Sequence, residues 1–214
     1  PLRLAADENN MKIVKLLMKQ SGVRISPESF RSCILQSIEM PKNATFEAYT
    51  FQNCTELRNI TLPKSLKKIP KSSFENCISL QEITIPYSLN KIGKNAFKNC
   101  SQLRRLDQTR AEGVETPLKI SASAFEGCSL LSDVNVLPIC KVGKFAFKGC
   151  NNIKTIKFSQ EIKKIKPGAF YGCSSLAKIT FPRSITKIGA NAFYGCSSLK
   201  KVSILSNFDK IDSW

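Results

Sequence analysis

The chain has 214 residues, 42% of them apolar, and 33 Lys and Arg against 16 Asp and Glu, a formal charge of +17 at pH 7. No apolar run approaches the roughly 18 residues that a bilayer-spanning helix needs, and with no histidine the usual acid–base and zinc-ligand sets cannot be assembled. The positive excess points either to acidic partners or to a lysine-rich solvated surface.

Pro1-Leu2-Arg3-Leu4-Ala5-Ala6 and Ile13-Val14-Lys15-Leu16-Leu17 place apolar residues at helical spacing, with Gly22 as a stop. The pattern predicts two short amphipathic helices, forming a hairpin over residues 1–23. The Pro-Leu-x-x-Ala-Ala start and the Ile-Val-x-x-Leu-Leu second helix resemble a partial ankyrin repeat, although Asn9-Asn10 stands where that family has Gly-His. One such repeat cannot bury both of its faces. Because the chain also begins at Pro1 rather than Met, it is expected to be a fragment of a longer protein.

Residues 24–53 form a transition unit. Phe30-Arg31-Ser32-Cys33 and Ile38-Glu39-Met40-Pro41 are a degenerate version of the later units, and their irregularity fits a capping repeat. From Phe51 onward one grammar recurs. Phe-x-x-Cys returns with its cysteine at 54, 77, 100, 128, 150, 173 and 196, separations of 23, 23, 28, 22, 23 and 23. A fixed period of this size marks a solenoid, in which each unit buries its apolar face only by stacking on its neighbours. After each cysteine come apolar residues at +3 (Leu57, Leu80, Leu103) and +6 (Ile60, Ile83, Leu106), then another at +8 with polar residues between, a period-two strand. Pro63, Pro86 and Pro182 end such strands because proline has no N–H for the ladder. A second short extended piece, as in Leu89-Asn90-Lys91-Ile92-Gly93, precedes an Ala-Phe-x-x-Cys segment expected to form a compact turn or single helical turn. The expected architecture is an α/β repeat solenoid: a curved array with one parallel sheet face and short turns or single helical turns on the other, running over 54–214 with its last unit incomplete. Five extra residues between Cys100 and Cys128, with Gln108 at a normally apolar strand position, predict a bulging loop from Asp107 to Pro117.

Residues 80–100 read Leu-x-x-Ile-x-Ile-Pro-x-Ser-Leu-x-x-Ile-Gly-x-x-Ala-Phe-x-x-Cys. This resembles the BspA-like leucine-rich repeat over about residues 50–205. The resemblance implies a surface-associated or secreted binding protein of the surface-antigen type, with adhesion to host proteins among the family's roles.

Eight of the nine cysteines lie in Phe-x-x-Cys and only Cys140 falls outside it. Side chains stacked on parallel strands at roughly 4.8 Å are poorly aimed at one another for disulfides, so buried, reduced thiols are expected. No Cys-x-x-Cys and no glycine-rich phosphate loop occurs, and neither catalysis, a cofactor nor a metal is expected. Fourteen residues after the repeat cysteine stand Lys68, Lys91, Lys164 and Lys187, with Lys141 and Lys119 at the matching places in the shifted units. Neighbours about 5 Å apart would repel by roughly 0.8 kcal/mol in water, a tolerable cost that an extended polyanion would relieve. On the strand face the outward residues run from mixed charge to basic; the resemblance implies binding through this face, which makes Lys157, Lys178, Lys201 and Arg105 the candidate contacts for a protein partner. The alternative partner is an acidic glycan or anionic lipid held by the lysine column; missing aromatic platforms on the strand face argue against nucleic acid. For localisation, the resemblance implies the cell surface, whereas the ankyrin-like segment and reduced cysteines favour the cytoplasm.

Overall fold

The computed structural model describes residues 22–108, 116–134 and 137–204. Each repeat makes one rung, all but one with two short strands, and the strands of successive rungs pair in parallel. In the first column β1 (Arg24–Ile25) pairs with β3 (Thr45–Phe46). Beyond them β5 (Lys68–Ile69), β7 (Lys91–Ile92), β9 (Leu118–Ile120), β10 (Ile139–Val142), β12 (Lys164–Ile165) and β14 (Lys187–Ile188) form one six-stranded sheet in that order. The second column holds β2 (Ser37–Glu39), β4 (Asn59–Thr61), β6 (Glu82–Ile85), β8 (Arg105–Gln108), β11 (Thr155–Ile156), β13 (Lys178–Phe181) and β15 (Lys201–Ile204). Its strands pair as β2–β4, β6–β8 and β11–β13–β15, and Arg105 and Asp133 make a single bridge in the gap. Two sheet columns thus replace the single sheet face read from the sequence. The Lys-Ile dipeptides, too short to announce themselves as strands, become strands because the next rung supplies the partner.

The alternation of a strand decides what is buried. In β5, β7, β12 and β14 the lysine is exposed and the isoleucine buried. The same rule sends Ile60, Ile83, Leu106, Ile156 and Ile179 inward from the second column. Between the columns lies the Phe-x-x-Cys turn. Phe30, Phe51, Phe74, Phe97, Phe125, Phe147, Phe170 and Phe193 stack one on the next, with centroids 5.2–5.4 Å apart and planes within 10°. That offset-stacked arrangement suits the ring quadrupole.

Backbone bonds lock these turns to one another. Each Phe N–H from Phe30 to Phe170 donates to a carbonyl of the following rung at 2.8–2.9 Å, as Phe97 does to Ala124. Each Phe carbonyl from Phe30 to Phe170 accepts the N–H of its own cysteine and also the thiol of the next rung, Cys54 to Phe30 through Cys196 to Phe170, at 2.9–3.2 Å. The cysteine is therefore a small core hydrophobe with one donor to spend on a buried carbonyl. All nine cysteines are free, eight of them buried, as the stacking argument requires.

The turns are not helical. Two positions per rung, two residues before and two after the phenylalanine, have φ between 51° and 77°; Asn95 and Asn99 flank Phe97, and Gly168 and Gly172 flank Phe170. Left-handed residues at that spacing exclude even one turn of right-handed helix, and among the described residues there is no helix. Asn tolerates the conformation and repays it locally: Asn76 Nδ2 donates to Asn53 Oδ1 at 2.8 Å and Asn99 Nδ2 to Asn76 Oδ1 at 2.9 Å. At residue 127 the ladder ends in glycine, where an added Cβ would sit 2.6 Å from Asn99 Oδ1.

The helical hairpin expected over 1–23 lies outside the described residues except for Gly22 and Val23. Gly22 N–H donates to Lys42 O, and Val23 O accepts from Thr45 N–H, so both already belong to the rung pattern. In the degenerate unit, Phe30 and Cys33 take the same stacking positions as their counterparts. Of the loop expected from Asp107 to Pro117, Asp107 and Gln108 instead stay in β8, opposite Thr84 and Ile85. Residues 109–115 lie outside the described residues.

Three outcomes are expected. Phe125→Ala, which removes a fully buried ring stacked on both sides, should cost about 3–5 kcal/mol in urea unfolding. Gly143→Ala should lower the melting temperature, since a Cβ there would meet Ala122 N at 2.4 Å and Ser121 C at 2.5 Å, both backbone atoms of the preceding rung. Burial pushes the Cys54 thiol up to about 12 and Cys196 up to about 11, and raises Cys77, Cys100, Cys150 and Cys173 as well. Unfolded thiols titrate near about 8.5. Below that pH both states hold their protons and the contribution is intact; above it the unfolded chain releases protons that the native chain keeps. The urea midpoint should therefore fall from about pH 8 to about pH 10, and a Cys77→Ala/Cys100→Ala variant should show a shallower fall.

Candidate functional site

Register does for the lysines what it does for the core. Lys68 faces Lys91, Lys91 faces Lys119, Lys119 faces Lys141, and Lys164 faces Lys187 along the six-stranded sheet. Val142 faces Ile165, which carries the ladder from Lys141 to Lys164. All six lysines predicted from their spacing are exposed on one continuous sheet face. Among the described residues no carboxylate pairs with Lys68, Lys91, Lys119, Lys141 or Lys164.

At the middle of the ladder the face is indented. A cleft of about 350 Å³ is lined by Lys91, Lys119, Lys141, Lys144 and Lys166, with Ile120, Ser121, Ala122 and Gly143 also lining it. Its cause is local. Two residues after the inward aliphatic, the rungs on either side carry a long side chain, Lys94 and Lys144, as an earlier rung carries Lys71, whereas the rung of Ile120 has Ala122. Gly143 lets the next rung close against the Ser121–Ala122 backbone, so the depression has main chain beneath it. Sequence reading found Lys91, Lys119 and Lys141 but missed Lys144 and Lys166; the signal available was Ala122 standing between Lys94 and Lys144 at the same place in the neighbouring rungs. Cys140 lies nearby, half-buried, its thiol 3.5 Å from Leu118 O. Burial and Glu161 push that thiol up, against a pull from Lys119 and Lys141.

The second column presents a different surface. Lys178 and Lys201 are register partners, Thr155 faces Lys178, and all three, with Lys157, are exposed. Arg105 is brought among acids: its Nη2 lies 3.4 Å from Glu82 Oε2 and its Nε 3.1 Å from Asp107 Oδ1. Its charge is matched within its own pair of strands, and the unmatched positive charge of this column lies at the Lys157–Lys178–Lys201 end. On the turns Tyr171 and Tyr194 stack at 4.9 Å, and Lys148 sits over Tyr171. Among the described residues no group of His, Cys, Asp or Glu is placed to hold a metal ion, and no helix is long and apolar enough to cross a membrane.

Solved structures similar to this chain include bacterial leucine-rich repeat proteins. The T. pallidum leucine-rich repeat protein is 24% identical with a TM-score of 0.56, covering 83% of this chain and 72% of that one. A leucine-rich repeat protein of Eubacterium ventriosum and the pneumococcal vaccine antigen PcpA are each 18% identical with TM-scores of 0.57; 89% of this chain is covered in both cases, and 53% and 57% of theirs. These likenesses show the fold. Among curated proteins none matches the chain. Residues 23–112 and 109–214 match, in six copies, the family described as BspA type leucine-rich repeat region. With one stacked phenylalanine and one thiol donor per rung, and short parallel strands that pair from rung to rung, the chain belongs to the BspA-type leucine-rich repeat family.

Proposed function

We propose that the chain is a non-enzymatic interaction module that binds a protein partner along the outward face of its second strand column. Lys157, Lys178 and Lys201 are its leading contacts, with Arg105 an outlying one that would have to exchange Glu82 and Asp107 for the partner. The observation that carries this reading is the division of labour in each rung. The inward positions are held by stacking and hydrogen bonding, while the outward positions of β11, β13 and β15 are polar, with Thr155, Lys178 and Lys201 exposed. A cell-surface place and an adhesive role are part of the proposal; the likeness to a named vaccine antigen supports them. The free cysteines do not select a reducing compartment, because a thiol buried against a carbonyl is protected wherever the protein resides. The division of the chain at 1–23, 24–53 and 54–214 belongs to the same proposal, with Gly22, Val23 and the unit at 24–53 already following the rung pattern.

A second reading has its own observation. Six lysines in register on one sheet suit an acidic glycan or an anionic lipid surface better than they suit a protein.

The two readings separate by charge reversal. With a partner recovered by affinity capture and then purified, Lys178→Glu/Lys201→Glu should weaken binding by about tenfold or more in surface plasmon resonance. Lys68→Gln/Lys91→Gln/Lys187→Gln should leave it within about twofold. The reverse ranking would move the partner to the lysine ladder.

A further inference from the structure

The indentation at the centre of the ladder does not suit every ligand that a row of lysines would attract. A bilayer is flat and meets exposed ammonium groups wherever they stand, and a long flexible polyanion follows the whole row. A concavity of about 350 Å³, at the small end of the range for small-molecule pockets, suits a compact group that enters it. We propose that the cleft between Lys91, Lys119, Lys141, Lys144 and Lys166 is a discrete binding site for a compact polyanion, a short glycan or small molecule bearing two or more sulfate or phosphate groups. This rests on the ladder reading and places its ligand.

Three observations converge on it. The lining holds five lysines and no carboxylate. Three of these, Lys91, Lys119 and Lys141, are register partners on adjacent strands, so their Cα atoms lie about 4.8 Å apart and their stems leave the sheet side by side. Lys144 and Lys166 follow the strands of their rungs and close the cleft from the turn side. Ammonium groups so placed repel one another by roughly 0.8 kcal/mol per neighbouring pair in water, and a ligand with two or more negative groups converts that repulsion into attraction. A single monovalent anion gains little from it. The space exists because Ala122 stands between two rungs that carry Lys94 and Lys144 at this place, as a third rung carries Lys71. A lysine at that place would supply more charge and less room.

That opposition provides the test. Ala122→Lys adds a positive charge while filling the cleft, and the three rungs that carry lysine there already accommodate it. Binding of a heparin-derived hexasaccharide and of inorganic tripolyphosphate would be followed by isothermal titration calorimetry at low and near-physiological salt, with thermal melts confirming that each variant is folded. The expected result is saturable one-to-one binding of at least one probe; which one it is separates a sulfated from a phosphorylated ligand. Ala122→Lys should weaken it by about tenfold despite the added charge, and Lys119→Gln/Lys141→Gln by at least as much. Lys68→Gln/Lys187→Gln, with the same charge loss outside the cleft, should change it by no more than about twofold. Tighter or unchanged binding by Ala122→Lys, or equal losses in the two glutamine pairs, would overturn the cleft and leave a diffuse ladder. No saturable binding of either probe would overturn both.

Discussion

The contact on which the array depends is the one between the phenylalanine of one rung and the next. Its ring stacks, its N–H donates forward, and its carbonyl receives both its own cysteine N–H and the following thiol. A buried carbonyl with an unfilled lone pair is costly to leave so; here the second acceptor site is met by sulfur, a weak donor small enough to sit inside the stack. The spacing of stacked rings and the spacing of parallel strands differ little, 5.2–5.4 Å against about 4.8 Å. The rungs can therefore satisfy both the turn and the two strand columns without slipping.

That match places a demand on the backbone elsewhere. To bring a phenylalanine inward from a tight turn between two strands, the chain enters the left-handed region twice per rung. The occupants change along the array, from Ser, Asn and Tyr to Gly, with no loss of register. Phe145 shows how strictly the geometry is held: a bulky residue, ordinarily excluded from that conformation, stays there with its ring against Gly168, and Lys144 and Lys148 lie over it. The fold tolerates variety in side chains at the turns as long as the phenylalanine and the cysteine remain.

What the packing leaves free is one exposed residue beside each buried one, repeated rung after rung. In such a lattice a single substitution is amplified by position rather than by chemistry. An alanine between two lysine-bearing rungs opens a cleft, and lysines in β13 and β15 turn one end of a mixed surface positive. Surfaces of this kind bind by accumulating modest contacts over several rungs, which fits an interaction module better than a catalyst that must hold a few groups to within a fraction of an ångström.

The sequence by itself determined the repeat, the inward positions and the free state of the cysteines, because each follows from a short period that every unit obeys: Phe97, Cys100, Leu103 and Leu106 could be assigned to the core by counting. It also determined the exposed lysines of the ladder, since a residue beside a buried one on a strand must face out. Tertiary structure alone decided the rest. Lys68–Ile69 and its equivalents are strands only because the neighbouring rung pairs with them, so the sequence suggested one sheet where there are two columns. The turn was left open between a compact turn and a helical one because an i to i+3 spacing of Phe and Cys is shared by helices and by turns with left-handed residues, and only backbone torsion tells them apart. Arg105 looked like a free contact until Glu82, 23 residues away in the chain, proved to be its neighbour across the strands. The cleft depends on Lys91, Ala122, Lys144 and Lys166 in successive rungs, a coincidence that stacking creates and that no single repeat contains.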